Sequence, residues 1–326
     1  MNKNSLLLLA ALTFLTALHL PAAELSGDIG THDPSRAILC NGKYYVYSTG
    51  GGMKCSTDLI HWTSGPSPFP NRQLPDSLKT LMPKNQGIWA PDVIFLNNRY
   101  YLYYAVAATD KHCATGLITS PTLDPSDPNY KWTDVGVVIT EDDNVVHRSA
   151  IDPCPVVDAD GNLWLSYGSG YANGTSATGP TIFVVRLDNK TGLLLDPDKP
   201  TLYPLVPGHI EASYIYLHDG YYYVFWNSGG CCKGAQSTYE IHVARSKSIT
   251  GPYVNKSGKT GGESFLKSHD GIHGPGQIGI LDLPNNKEIF TYHYYPDTGR
   301  SIMGMGTLTW DSDGWPVPGP TPDGLK

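Results

Sequence analysis

Beyond residue 20 the chain has no apolar run long enough to span a membrane as a helix. Basic charge is also scarce: 23 Lys and Arg stand against 30 Asp and Glu, for a formal net charge of -7. No basic cluster stands out, which speaks against nucleic acid and anionic membrane as partners. Helical periodicity is weak throughout. The six cysteines, Cys40, Cys55, Cys113, Cys154, Cys231 and Cys232, include no C-x-x-C pair, so a zinc site of that spacing is excluded. The only long apolar stretch, Leu6 to Leu20, follows Lys3 and precedes Pro21-Ala22-Ala23. That layout predicts a signal peptide over 1–23, a single domain over 24–326, and a secreted protein, extracellular or periplasmic. An exported chain permits disulfides, but six cysteines allow fifteen pairings, and the adjacent Cys231 and Cys232 are open to a vicinal bond or two thiols. Asn173, Asn189 and Asn255 begin N-x-Ser/Thr patterns, which matter only in a eukaryotic secretory pathway.

What is abundant is Gly, Pro and Tyr, at 35, 26 and 21 residues, a composition suited to short strands and many turns. The tyrosines recur with a period. Asn41-Gly42-Lys43-Tyr44-Tyr45-Val46-Tyr47 is followed by Asn97-Asn98-Arg99-Tyr100-Tyr101-Leu102-Tyr103, then by Asp160-Gly161-Asn162-Leu163-Trp164 and His218-Asp219-Gly220-Tyr221-Tyr222. A weaker copy runs through Asn286-Lys287-Glu288-Ile289-Phe290. The spacing is roughly 55 to 70 residues. Each copy reads as a turn that tolerates positive φ, feeding a strand apolar on both faces. A strand covered on both faces needs that composition. Five such copies predict an all-β, five-bladed β-propeller with four strands per blade; a β-sandwich with similar turns is the alternative.

An acid lies about ten residues upstream of each of the first four aromatic strands: Asp33, Asp92, Asp152 and Glu211. Equivalent positions of successive blades surround one axis, so these acids are expected to converge at one mouth of the channel. Their neighbours are apolar or proline, which implies restricted, partly buried backbone. Burial and like-charge crowding raise a carboxyl pKa, and donors lower it. A cluster with unequal environments can hold one acid protonated and one ionised, the pair that glycosidic cleavage needs.

The segments His32-Asp33-Pro34-Ser35, Trp89-Ala90-Pro91-Asp92, Ala150-Ile151-Asp152-Pro153 and Ile210-Glu211-Ala212 resemble glycoside hydrolase family 43, in particular its endo-1,5-α-L-arabinanases. Cys231-Cys232-Lys233-Gly234, Ser237-Thr238-Tyr239 and Thr250-Gly251-Pro252-Tyr253 support the resemblance, which runs from about Gly27 to Pro316. It implies a five-bladed propeller that hydrolyses α-1,5-linked L-arabinan, the arabinan of pectin, with inversion. It gives Asp33 the role of general base, Glu211 that of general acid, and Asp152 that of the carboxylate that orients the acid and tunes its pKa. Trp89, Gly116, Ser149, Ser169, Gly170 and Tyr171 match positions lining the substrate groove. An exo-acting α-L-arabinofuranosidase or β-xylosidase, or a carbohydrate-binding propeller without catalysis, are the competing readings. The chain is expected to act as a monomer.

One departure concerns a metal. Relatives carry Gly-Pro-Gly-His near the fifth blade, where the His holds an axial ion, usually calcium. Here the stretch is Gly274-Pro275-Gly276-Gln277. Gln offers a carbonyl oxygen but no imidazole nitrogen. His273 and His293 are the substitutes to consider, and no cofactor is required by the carboxylate chemistry.

Overall fold

A computed structural model describes residues 24–142, 148–170 and 179–322. The signal-peptide expectation, Tyr171 and Asn173 therefore lie outside the described residues. No described helix is long and apolar enough to cross a membrane.

The chain forms a five-bladed β-propeller, and each tyrosine-rich copy is the second strand of a blade. These strands are Lys43–Ser48, Arg99–Ala107, Leu163–Tyr167, Tyr221–Ser228 and Lys287–Tyr295. The first strand of each blade, nearest the axis, is Ile38–Cys40, Trp89–Leu96, Cys154–Val157, Glu211–His218 or His273–Leu283. Consecutive strands within a blade pair antiparallel. The both-faced apolar composition has the expected cause: Lys43–Ser48 and Arg99–Ala107 are buried at every position after the first. Each sheet packs on two neighbours, and burying an apolar side chain such as Leu102, Phe225 or Phe290 contributes about 1.5–3 kcal/mol.

Four blades have four strands, as predicted; the first has a fifth. Ser26–Gly27 runs parallel along the outer strand His61–Gly65. The chain then crosses to the fifth blade, where the Met303 amide donates to Ile29 O at 2.8 Å and the Thr31 amide to Ser301 O at 3.2 Å. This segment ties the first blade to the last, which explains an extra strand that the repeat does not encode.

Below the mouth, the channel is filled. Arg36, on the first blade, donates from Nε to both carboxylate oxygens of Asp92 on the second, at 3.1 and 3.0 Å. Its Nη2 reaches Pro155 O on the third at 2.7 Å, and its guanidinium lies 5.0 Å from the Tyr214 ring centroid on the fourth. The Tyr214 hydroxyl donates to Ile280 O and accepts from the Ile280 amide on the fifth, at 3.1 and 3.0 Å. Residue 279 has to be glycine: a Cβ there would stand 2.4 Å from the Arg36 backbone nitrogen. One buried cation, its carboxylate and the Tyr214 ring beside them thus connect five blades. Asp92, in register with the other acids, is consumed by this pair and is turned away from the mouth.

Candidate active site

At the mouth of the channel a recurring backbone feature aims the side chains. Asp33, Ala90, Asp152, Ala212 and Gln277, one per blade, all adopt positive φ, at 48°, 34°, 57°, 55° and 56°. Non-glycine residues rarely hold this conformation, and when they do they cluster at functional sites. Register shifts accompany them between Trp89 and Asp92, between Glu211 and Tyr214, and between His273 and Gly279. A bulge there breaks the alternation of the innermost strand and redirects a side chain toward the axis.

The result is a cavity of about 390 Å³ lined by Asp33, Asp152 and Glu211 together with Trp89, Ile151 and Thr49. His32, Tyr239, Gln277 and the two adjacent cysteines complete the lining. The three acids singled out by register meet here. Asp33 is held by the Thr49 hydroxyl, which donates to Oδ2 at 2.7 Å, while Thr49 itself accepts from the Ala90 amide at 2.8 Å. The first and second blades are thereby coupled at the base of Trp89. Glu211 receives two hydroxyl donors: Ser169 reaches Oε2 at 2.6 Å, and Tyr239 donates to Oε1. Asp152 accepts the Ala212 amide at 3.1 Å, the residue next to Glu211.

These surroundings set the protonation. Burial raises the Glu211 carboxyl; the Ser169 and Tyr239 hydroxyls oppose that, and the Asp33 charge adds to it. Asp152 is raised well above the usual range by burial first, then by the charges of Glu211 and Asp33. Two carboxyls that repel in a dry pocket hold a proton to higher pH than either would in water. Burial and the neighbouring Glu211 push the Tyr239 phenol far up, so it stays a donor.

The other groove residues divide. Trp89 lines the cavity, and Ser169 acts on it through Glu211. Ser149 is fully buried, with its amide bonded to Ser169 O at 3.1 Å, one layer behind the pocket. Gly170 donates to Ile210 O at 3.1 Å, and a Cβ there would stand 2.7 Å from Thr181 Cγ2. Gly116 lies away from the lining, in the middle of its strand. A Cβ on it would stand 2.5 Å from Leu78 Cδ1 and 2.6 Å from Tyr104, so its smallness serves packing inside the second blade. Thr49 and Tyr239 were not singled out from sequence. Thr49 directly follows an aromatic strand at its axial end, and Tyr239 closes the Ser237-Thr238-Tyr239 segment; those positions were the available signals.

The residues present do not make a calcium cage. Gln277 lines the pocket with one carbonyl to offer. His273 is turned outward, its Nε2 2.8 Å from Asp297 Oδ1. His293 is fully buried and accepts the Asp33 amide at Nδ1, 3.2 Å away. Burial, with His32 beside it, lowers its pKa to about 3, so the ring is neutral and carries its proton on Nε2. That nitrogen, which has no partner among the described residues, is a donor and not a ligand. Ligand atoms of His32, Asp33 and His293 do lie within 4.8 Å of one another, but the Nδ1 lone pair of His293 is already used. A hard cation favours six to eight oxygens, and this set does not supply them.

Known proteins resemble this chain over most of its length. The sequence profile of glycosyl hydrolases family 43 matches residues 29–316. The extracellular endo-alpha-(1->5)-L-arabinanase 1 of Bacillus subtilis is 34% identical, over 97% of this chain and 96% of its own. The extracellular exo-alpha-(1->5)-L-arabinofuranosidase ArbA of Cellvibrio japonicus is 30% identical, over 93% and 91%. Among solved structures, the family 43 endo-arabinanase from Bacillus licheniformis superposes with a TM-score of 0.77 at 36% identity, covering 90% of this chain and 99% of that one.

Proposed function

The chain belongs to glycosyl hydrolases family 43, and from that premise we propose that it is an exported, inverting endo-hydrolase of α-1,5-linked L-arabinan. The observation that carries the chemistry is the pairing of unlike carboxyls in one cavity. Glu211 has a raised pKa and two hydroxyl donors, and Asp33 is bonded to Thr49. Asp33 takes a proton from a water that attacks the anomeric carbon. Glu211 gives its proton to the leaving glycosidic oxygen, and the hydroxyls of Ser169 and Tyr239 stabilise the carboxylate that remains. Asp152 is the pKa modulator: it and Glu211 are two buried carboxyls that cannot both ionise freely, and it holds the Ala212 backbone that presents the acid. Trp89 offers an aromatic face to a sugar ring. The apolar leader and the extracellular relatives support export.

The test is hydrolysis of linear debranched arabinan. Oligomers of mixed length are expected first; arabinose alone would show exo action, and binding without hydrolysis would show a lectin-like propeller. NMR of the first product should show inverted anomeric configuration. Asp33→Ala should abolish turnover on every substrate, whereas Glu211→Ala should be milder on a substrate with a good leaving group. Near wild-type turnover by Asp33→Ala would overturn the assignment.

A further inference from the structure

The connection between the second and third strands of the fourth blade carries a disulfide between adjacent residues, Cys231 and Cys232. Cys40, Cys55, Cys113 and Cys154 remain outside disulfides, so the one bond the described cysteines form is not a staple between distant elements. A bridge between neighbours closes almost no chain and contributes little loop entropy, so its purpose lies elsewhere.

Its position points to that purpose. Both cysteines line the catalytic cavity, and Cys232 is exposed. The loop leaves the fourth blade and crosses the fifth: the Cys232 amide donates to the Tyr295 hydroxyl at 3.0 Å, and Gly234 lies against the backbone of Gly299. It ends beside the first blade, with Cys232 Sγ 3.6 Å from His32 Nε2, while His32 Nε2 is 3.5 Å from Asp33 Oδ2. The base of the loop is fastened by Thr238 N to Gly230 O at 2.9 Å, Gly230 N to Thr238 Oγ1 at 3.1 Å and Lys233 N to Ser237 Oγ at 3.0 Å. Around the ring of blades, Trp89 stands on one side of Asp33 and the disulfide on the other. Most of the remaining wall is carboxylate, hydroxyl, amide or imidazole. A disulfide has no donor and is only a weak, polarisable acceptor, so it satisfies a sugar hydroxyl poorly. It can cover the C–H face of one.

We propose that the Cys231–Cys232 disulfide is a substrate-contacting wall of the catalytic pocket, which seats the C–H face of a neutral pentofuranose unit opposite Trp89 and thereby determines sugar affinity. This rests on the arabinan reading.

The test combines kinetics with chemical protection. Cys231→Ser together with Cys232→Ser should raise KM for arabino-oligosaccharides about tenfold and leave kcat within about threefold, with the fold checked by circular dichroism. An unchanged KM in a folded double variant overturns the proposal. Should that variant not fold, the intact disulfide is read in the Glu211→Gln protein, which binds without turnover. Saturating arabinohexaose, its binding verified by calorimetry, should slow reduction of the bond by a phosphine at least about tenfold, as measured by alkylation and mass spectrometry. Equal reduction rates with and without bound sugar overturn the wall. Wild-type protein that neither binds nor cleaves arabinan overturns the functional reading itself, and the wall with it.

Discussion

Removing the Tyr239 hydroxyl tests the electrostatics of Glu211 directly. In Tyr239→Phe the buried ring remains and one donor to Glu211 Oε1 is lost; Ser169 still holds Oε2 at 2.6 Å. A hydrogen bond to a charged group contributes about 1.5–3 kcal/mol, against about 0.5–1.5 kcal/mol to a neutral one. The ionised form therefore loses more than the protonated form by roughly 1–1.5 kcal/mol, or about one pKa unit. In the proposed role of general acid Glu211 must be protonated, so activity is expected to fall as pH rises through its pKa. The basic limb of the kcat/KM profile on arabinan should move up by about one unit, while the acidic limb stays in place. Ser169→Ala should act in the same direction, and the pair can deviate from additivity because both donors share one carboxylate. A basic limb that stays put, or moves down, would refute the idea that these hydroxyls stabilise the Glu211 charge.

Asp152→Asn should move the same limb the other way, because the buried carboxyl that shares a coupled titration with Glu211 is gone, and activity at pH 7 should drop. The same variant should be more stable at pH 7. A carboxyl raised in the folded state supports folding below its unfolded pKa and loses that support as pH rises through its folded pKa, so removing it should raise Tm by at least about 2 °C at neutral pH and by less near pH 4. Arg36→Met should cost about 3–5 kcal/mol in urea unfolding because it leaves Asp92 buried and uncompensated; adding Asp92→Leu should recover part of the loss. His293 acts at the acid end. Its pKa of about 3 lies far below the unfolded 6.5, so stability is complete above pH 6.5 and falls as pH drops toward 3, by as much as about 4–5 kcal/mol; His293→Gln should flatten that slope in denaturant titrations at stepped pH. Dialysis against a chelator should leave turnover on arabinan unchanged, and a loss restored by calcium would show a cation held in some other way.

The blades were legible in the sequence because the repeat is written in local chemistry. A tight turn needs Asn41-Gly42 or Asp219-Gly220, and a strand packed on both faces needs an apolar or aromatic residue at every position, as in Lys43–Ser48. Repeat register likewise brings Asp33, Asp152 and Glu211 to one cavity, since equivalent positions of a propeller face one axis. Register alone could not separate Asp92 from Asp33. Both precede an aromatic strand, but one is claimed by Arg36, 56 residues away in sequence, and only the packing of the blades brings them together. Gly116 shows the same limit: the pocket and the interior of a blade both select glycine, and the closeness of Leu78 and Tyr104 decides between them. The two donors on Glu211 come from the third blade and from the far side of the fourth, 42 and 28 residues from it, so no local pattern marks them. The six cysteines admitted fifteen pairings, and the tertiary structure selected the one between neighbours, because only the loop crossing the fifth blade presents two sulfurs to each other at the mouth of the pocket. Sequence determined which residues are chemically able to act; the long-range contacts, whose partners lie on other blades, decided which of them line the pocket and what surrounds each carboxyl.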